Sequence, residues 1–252
     1  MYIEQTFLYA LFLSFLAGIA TTIGALLALV IKRPTEKLIC FSLAFSAGVM
    51  IQISFVELLR NSIDLVGFLS ANLFFVLGLL LVFLIDVLIP LEYIAKKTTS
   101  KDSQLMKAGV LTALGIAIHN FPEGFATFAG ALYSLDLGIL LAIAIAIHNI
   151  PEGLTVYLPI FSATGNRRKA FFYSFISGIF EPIGALVGAF FLLPFLTDYI
   201  LHSILAFIAG IMVYVSLDEL LPSAYGNTKG HLAALGIILG IVVMSISLIL
   251  LR

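Results

Sequence analysis

The sequence predicts an all-α polytopic membrane protein with eight transmembrane helices in a 3+2+3 inverted-repeat arrangement. First, 62% of the 252 residues are hydrophobic and only 11% are charged, whereas soluble domains are about 45–50% apolar and about 25% charged. Second, several apolar runs reach the roughly 20 residues that a helical span requires. Third, segments of the first spans recur in the last ones. This composition excludes a water-soluble enzyme, and a net charge of −1 offers no basic surface for nucleic acid.

Polar breaks divide the chain into eight apolar runs that lack the alternating pattern of barrel strands. The first run resembles a signal peptide, but it is longer, lacks a preceding cation and ends at Lys32 and Arg33, so we interpret it as a retained helix. The single cysteine, Cys40, excludes a disulfide framework and a cysteine-cluster metal site. In chain order, the predicted spans are residues 7–31, 38–59, 65–89, 107–133, 137–161, 170–195, 200–221 and 231–251.

The distribution of lysine and arginine predicts the orientation in the membrane. The odd-numbered loops carry 3, 4, 3 and 1 of these cations, which makes 11 of the 13, and the opposite side carries only Arg60 and Arg252. Loops rich in lysine and arginine stay in the cytoplasm. The sequence therefore predicts a multi-pass protein of the cell membrane with both termini outside.

Internal repeats predict the domain organisation. Residues 43–59 match residues 205–221 at 10 of 17 positions, and residues 15–26 match residues 175–186 at 7 of 12. Apolar helices can look alike by chance, but shared glycine, serine and glutamate positions argue against that. The paired spans run in opposite directions, as in many secondary transporters. We expect one transmembrane domain, in which a central helix pair (residues 107–161) lies between two inverted repeats (residues 1–90 and 170–252).

A second repeat, H-N-x-P-E-G, lies in the middle of spans four and five. His119 and Glu123 in span four, and His148 and Glu152 in span five, are each separated by four residues and so share one helix face. Ionisable groups within a span are costly and usually face a cavity or a partner. Two such helices face to face would offer a nitrogen and oxygen ligand set suited to zinc or another first-row divalent ion. The alternative, polar residues that only join helices, is less consistent with two copies of the motif.

The same motif contains residues that shape the helices. Pro122 and Pro151 cannot donate a backbone hydrogen bond, so we expect each helix to kink or open beside its histidine. Interrupted helices at membrane depth are tolerated where they line a cavity. Gly124 and Gly153 would let another helix approach closely.

Span six contributes Glu181, whose counterpart in the first repeat is Thr21. Three carboxylates in one apolar interior would repel one another unless cations neutralise them. We therefore expect Glu181 to be a metal ligand, the alternative being a protonated carboxyl that joins two helices.

Further polar residues lie near the ends of the spans. Glu57 and Glu219 are repeat equivalents at opposite ends, and either entrance and exit positions for a cation or solvated helix ends would explain them. For Asp64, His202 and His231 we favour solvated helix ends. The same two explanations apply to Asp86 and Asp218, two more acids near the inner ends of their spans.

The doubled motif HNFPEG and HNIPEG, the eight spans and the outside termini resemble the ZIP family of divalent-metal transporters over essentially the whole chain. The S-L-D-E-L-L-P ending of span seven is most similar to a bacterial branch of that family. The resemblance implies uptake of Zn²⁺, and often Fe²⁺, Mn²⁺, Co²⁺ or Cd²⁺, into the cytoplasm as transported substrate. It also implies an elevator-like movement of one helix group against another, and a homodimer. Unlike many members, the chain has no histidine in the loop at residues 92–106.

The resemblance further implies a binuclear metal site. One metal position would be formed by His119, Glu123, His148 and Glu152. The other would be formed by Asn120, Asn149 and Glu181, with Glu123 and Glu152 bridging the two ions.

Two other classes of protein compete with a transporter. An intramembrane metal-dependent hydrolase could use a His/Glu-bound zinc to activate water, but the sequence has no HExxH motif and no further acid or serine placed as a base. A structural or signalling membrane protein would not need ligands in the middle of the membrane. No GxxxxGK[ST] motif is present, which argues against an ATP-driven pump. We therefore predict a transporter and no enzymatic activity, with the metal preference left open.

Overall fold

The computed structural model describes residues 2–30, 35–88, 101–192, 195, 197–226 and 230–250. The side chain of Asp86 and the cationic segments at 31–34 and 89–100 lie outside this described part. Helices account for nearly all of the described residues, and none of these residues forms a strand. In chain order the helices are α1 (Tyr2–Leu29), α2 (Glu36–Ile53), α3 (Arg60–Val66), α4 (Phe68–Leu88), α5 (Lys101–Tyr133), α6 (Leu135–Thr164), α7 (Arg167–Leu192), α8 (Asp198–Val215), α9 (Leu221–Tyr225) and α10 (His231–Leu250).

The helices confirm the all-α polytopic membrane class. Seven helical stretches among the described residues are long and apolar enough to cross a membrane. The eighth predicted span corresponds to α5, which has 33 residues, includes the polar HNFPEG segment and packs against α1, α6 and α7. Thr35, Ser134 and Thr197 begin α2, α6 and α8 by accepting a hydrogen bond from the backbone N–H three residues later.

The second and seventh predicted spans each contain a π-helical segment. Ser54–Leu59 joins α2 to α3, and Ser216–Leu220 joins α8 to α9. The two segments begin 162 residues apart, at equivalent positions of the internal repeat, and each carries one of the acids Glu57 and Glu219. The predicted end of span two at residue 59 is therefore wrong, because the helix continues until Gly67, whose φ of +83° suits glycine.

The helices pack as two bundles. The site bundle contains α1, α5, α6 and α7, and the companion bundle contains α2 to α4 and α8 to α10. Contacts between the bundles run mainly from α2 to α6 and from α8 to α5. Under the sequence repeat α2 corresponds to α8 and α6 to α5, so these two contacts are equivalent.

Glycines bring helices of one bundle into backbone contact. Between α1 and α6, Gly24 faces the carbonyl oxygen of Ile150, while Gly153 faces that of Thr21. The equivalent contacts between α7 and α5 are those of Gly184 with Phe121 and of Gly124 with Glu181. The companion bundle has the same design in the pairs Gly48 with Ile237, Gly240 with Phe45, Gly78 with Phe207, and Gly210 with Phe75. Small residues allow such close approach in membranes, and each contact has a partner at the repeat-equivalent position.

Candidate metal centre

All seven predicted site residues lie in the interior of the site bundle. Each has 0% of its surface exposed: His119, Asn120 and Glu123 on α5, His148, Asn149 and Glu152 on α6, and Glu181 on α7. The helices run without interruption through Pro122 and Pro151, so the expected opening of the helix beside each histidine does not occur. The motif nevertheless presents its histidine and glutamate to the facing helix, as their four-residue spacing predicts.

The two histidines pair with the glutamates of the opposite helix. His119 Nε2 lies 3.1 Å from Glu152 Oε2, and His148 Nε2 lies 3.3 Å from both carboxylate oxygens of Glu123. Each pair joins α5 to α6, and the internal repeat exchanges one pair for the other. The arrangement gives the paired atoms a partner inside an apolar region, where unpaired atoms would be costly.

The asparagines occupy equivalent positions but have different partners. The Nδ2 group of Asn149 donates to the Ala17 carbonyl oxygen at 3.2 Å, and that of Asn120 donates to the Ser177 carbonyl oxygen at 3.1 Å. Asn149 also donates to Glu181 Oε1. Asn120 has no such partner because the position equivalent to Glu181 is Thr21. The site therefore follows the repeat except at this one carboxylate.

Several buried polar atoms of the site make no hydrogen bond with any described residue. An unpartnered buried donor or acceptor costs about 1–3 kcal/mol, so their concentration here calls for a functional explanation. The atoms are His119 Nδ1, Asn120 Oδ1, Asn149 Oδ1, Glu152 Oε1 and Glu181 Oε2.

The side chains do not surround one common point. Within the described residues, no group of three or more His, Cys, Asp or Glu side chains is arranged to hold a metal ion. The His–Glu contacts explain this, because the ligand atoms face each other in pairs. Coordination of one cation by all four side chains requires their nitrogen and oxygen atoms to turn from each other toward a common point.

Two contacts hold the His148 segment. His148 Nδ1 lies 3.1 Å from the Ala144 carbonyl oxygen one turn earlier, which orients the ring. The hydroxyl of Ser46 on α2 donates to the His148 carbonyl oxygen at 2.8 Å. This hydrogen bond connects the companion bundle to the site, and it could not be predicted beyond the presence of a small polar residue within span two.

The residues near the span ends fall into two groups. Glu57, Asp64 and His202 line a cavity beside the turn between α5 and α6, which we name the α5–α6 cavity. His202 is only 2% exposed, so its interpretation as a solvated helix end is wrong, whereas His231 is exposed. Sequence reasoning missed Asp136, which lines the same cavity and is recognisable only as an acid in the first turn of α6.

Glu219 and Asp218 lie elsewhere. A Cβ atom placed on Gly115 would come within 2.8 Å of Glu219 Oε2. Since Gly115 precedes His119 by one turn of α5, the Glu219 carboxylate lies close to the site bundle one turn from the metal centre. The neighbouring Asp218 is exposed.

Comparisons with known proteins agree with the motif. The profile of the ZIP zinc transporter family matches residues 92–248. A protein of Chlorobium limicola named zinc transporter ZupT is 48% identical, over 96% of this chain and 97% of its own length. The proteins of the same name from Clostridium perfringens and Streptococcus mutans are 44% and 43% identical, and each alignment covers at least 96% of both chains.

Proposed function

This chain belongs to the ZIP zinc transporter family, and from that premise we propose that it carries divalent metal cations, zinc foremost, across a cell membrane into the cytoplasm. Membership makes the chain a multi-pass membrane transporter rather than an enzyme. Relatives that match nearly all of it are named zinc transporters. The observation that carries the proposal is the reciprocal pairing of two histidines and two glutamates at 0% exposure in the site bundle.

His119, Glu123, His148 and Glu152 form the first metal position in this proposal. An incoming Zn²⁺ replaces the hydrogen bonds within the two His–Glu pairs and takes their nitrogen and oxygen atoms as ligands, a donor set that zinc accepts. Two carboxylates balance the double positive charge of the ion. This balance lowers the cost of holding the ion away from water. The unpartnered Glu152 Oε1 supports a role in ligation beyond the contact with His119.

Asn120, Asn149 and Glu181 form the second metal position, with Glu123 and Glu152 as bridges. Three observations support it: the hydrogen bond from Asn149 to Glu181, the unpartnered Oδ1 atom of Asn120 and the unpartnered Oδ1 atom of Asn149. Oxygen ligands without thiolate suit hard and borderline ions. The site therefore also accepts Fe²⁺, Mn²⁺, Co²⁺ or Cd²⁺.

Movement of the site bundle against the companion bundle exposes the metal positions to each side in turn. The repeat-related contacts within each bundle support its movement as one body. Inverted repeats are a common means of producing two alternate openings. The cation distribution in the sequence supports outside termini and cytoplasmic odd loops, and the resemblance supports a homodimer within the lipid bilayer.

Zinc uptake into proteoliposomes tests the proposal. We expect His119→Ala and His148→Ala each to abolish uptake or reduce it at least tenfold, because each removes a nitrogen ligand. His231→Ala is the matched control, since His231 is exposed at the start of α10 and distant in sequence from the motif. Unchanged uptake in the His119→Ala/His148→Ala double variant would contradict the assignment. Competition by Fe²⁺, Mn²⁺ and Cd²⁺ in the same vesicles measures the metal preference.

A further inference from the structure

The α5–α6 cavity is separate from the seven site residues. Its volume is about 360 Å³, and it lies where the π segment after α2, α3, the end of α5, and the starts of α6 and α8 meet. The polar residues that line it are Glu57, Asn61, Asp64, Tyr133, Asp136 and His202. The predicted orientation places this end of the helices outside.

The polar lining of the cavity is acidic. Its carboxylates come from three segments, with Glu57 on the π segment, Asp64 on α3 and Asp136 on α6. Glu57 is 6% exposed and accepts a hydrogen bond of 2.6 Å from Asn61 Nδ2. No lysine or arginine is among the residues that line the cavity in the described part of the chain. A cleft lined by one sign of charge raises the local concentration of counter-ions about 10- to 1,000-fold.

His202 adds a nitrogen ligand to the carboxylates that line the α5–α6 cavity. Its side chain is buried, and its Nδ1 lies 2.8 Å from the Asp198 carbonyl oxygen one turn earlier on α8. That carbonyl oxygen accepts a hydrogen bond from Nδ1–H, and no hydrogen bond to Nε2 is found among the described residues. The ring packs edge-on against Tyr133 at 5.1 Å between centroids. An imidazole whose Nδ1–H is held by a backbone carbonyl oxygen, with Nε2 available, is the usual arrangement of a metal-ligating histidine.

The cavity also lies above the metal centre along α6. Leu140 lines the cavity, and Ala144 and His148 follow at intervals of four residues. These three residues share one face of the helix, and eight residues correspond to a rise of about 12 Å. An ion in the cavity is therefore two helical turns from the first metal position.

We propose that the α5–α6 cavity is a capture site for a divalent metal cation, with His202 Nε2 and the carboxylates of Asp136, Asp64 and Glu57 as its ligands. The capture site binds the ion before the transport site does and raises its concentration there. Its role in uptake rests on the proposed function, whereas its ability to bind a metal does not.

Kinetics of Zn²⁺ uptake test the role of the cavity. We expect Asp136→Asn and His202→Gln to raise the KM for Zn²⁺ about three- to tenfold without changing the maximal rate. The effect of Asp136→Asn should shrink as salt is added, because salt screens the carboxylate. Glu36→Gln is the matched control: like Asp136, Glu36 is an exposed acid in the first turn of a helix behind a hydroxyl cap, but it does not line the cavity. A normal KM in both variants, or a lower maximal rate with a normal KM, overturns the proposal.

Binding of ⁶⁵Zn²⁺ to purified protein in lipid nanodiscs separates this proposal from the proposed function. In a His119→Ala/His148→Ala background, we expect the bound zinc to fall by about one ion per chain when His202→Gln is added, and to stay constant when Glu36→Gln is added. Equal binding with and without His202→Gln overturns the capture site. Failure of the wild-type protein to take up zinc, together with the expected loss of the His202-dependent ion, would instead refute transport and leave the capture site standing.

Discussion

Replacing Gly153 by alanine tests the backbone contact that joins α1 to α6 beside the metal centre. A methyl group at this position would overlap the carbonyl oxygen of Thr21 and lie 3.1 Å from the backbone nitrogen of Ala25. Both are backbone atoms, so rotation of a side chain cannot relieve the overlap and the two helices must separate. Overpacking typically costs about 1–3 kcal/mol, and the lack of a flexible neighbour favours about 3 kcal/mol. For a chain of this size that corresponds to a fall in Tm of roughly 6–12 °C.

The same substitution should also affect transport. Gly153 follows Glu152 directly, and Glu152 pairs with His119 across the helix interface. Separation of α1 and α6 displaces this carboxylate, so we expect zinc uptake to fall at least tenfold even at temperatures where the variant remains folded.

Cys40 provides the assay for stability. It is the single cysteine of the chain and is 2% exposed, so its reaction with a fluorogenic thiol reagent during heating reports unfolding. The chain has no tryptophan for the usual fluorescence measurement. Gly226→Ala is the control, since the nearest atom to its added methyl group would be the Pro222 carbonyl oxygen at 3.5 Å, an ordinary contact. A Gly153→Ala protein with the Tm and uptake of the wild type would refute the argument from close contact.

Two further predictions concern orientation and stoichiometry. In a Cys40→Ser background, Arg168→Cys should react with an impermeant thiol reagent only from the cytoplasmic side, and Tyr199→Cys only from outside. Both positions are exposed, and 11 of the 13 cations lie in the odd-numbered loops, which are therefore expected to be cytoplasmic. Labelling of Arg168→Cys in intact cells would reverse the orientation. Glu181→Gln should lower the zinc bound to the purified protein from two ions per chain to one, because it removes a charge that the second ion requires and leaves the His–Glu pairs intact. If the variant still bound two ions with the wild-type metal preference, Glu181 would be only a packing residue.

The sequence predicted the helices and the close approach of other helices at Gly124 and Gly153, because both depend on short-range patterns. Apolar length determines which segments span a membrane. The glycines that recur at 48 and 210 are the positions where backbones touch. The end of span two could not be predicted in the same way. Arg60 and Asp64 look like a loop by polarity, but α3 continues through them until Gly67.

The site was predictable as a set of residues but not as a set of contacts. A spacing of four residues shows that His119 and Glu123 share a face, but it does not show that His119 would pair with Glu152 of the other helix. The partner depends on how α5 and α6 cross, which no local pattern encodes. For the same reason the sequence did not indicate that His202 is buried or that Asp136 lies beside it.

The three buried carboxylates of the site bundle have a consequence for membrane voltage. Each elementary charge that crosses the membrane changes the free energy by about 2.3 kcal/mol per 100 mV. Around the same three carboxylates of Glu123, Glu152 and Glu181, a bundle that carries two divalent ions is two elementary charges more positive than a bundle that carries one. A negative cytoplasmic potential would therefore assist the inward movement of the doubly loaded bundle more than that of the singly loaded one. Voltage alone would then select the fully loaded state, although the ligands themselves need not bind the two ions cooperatively.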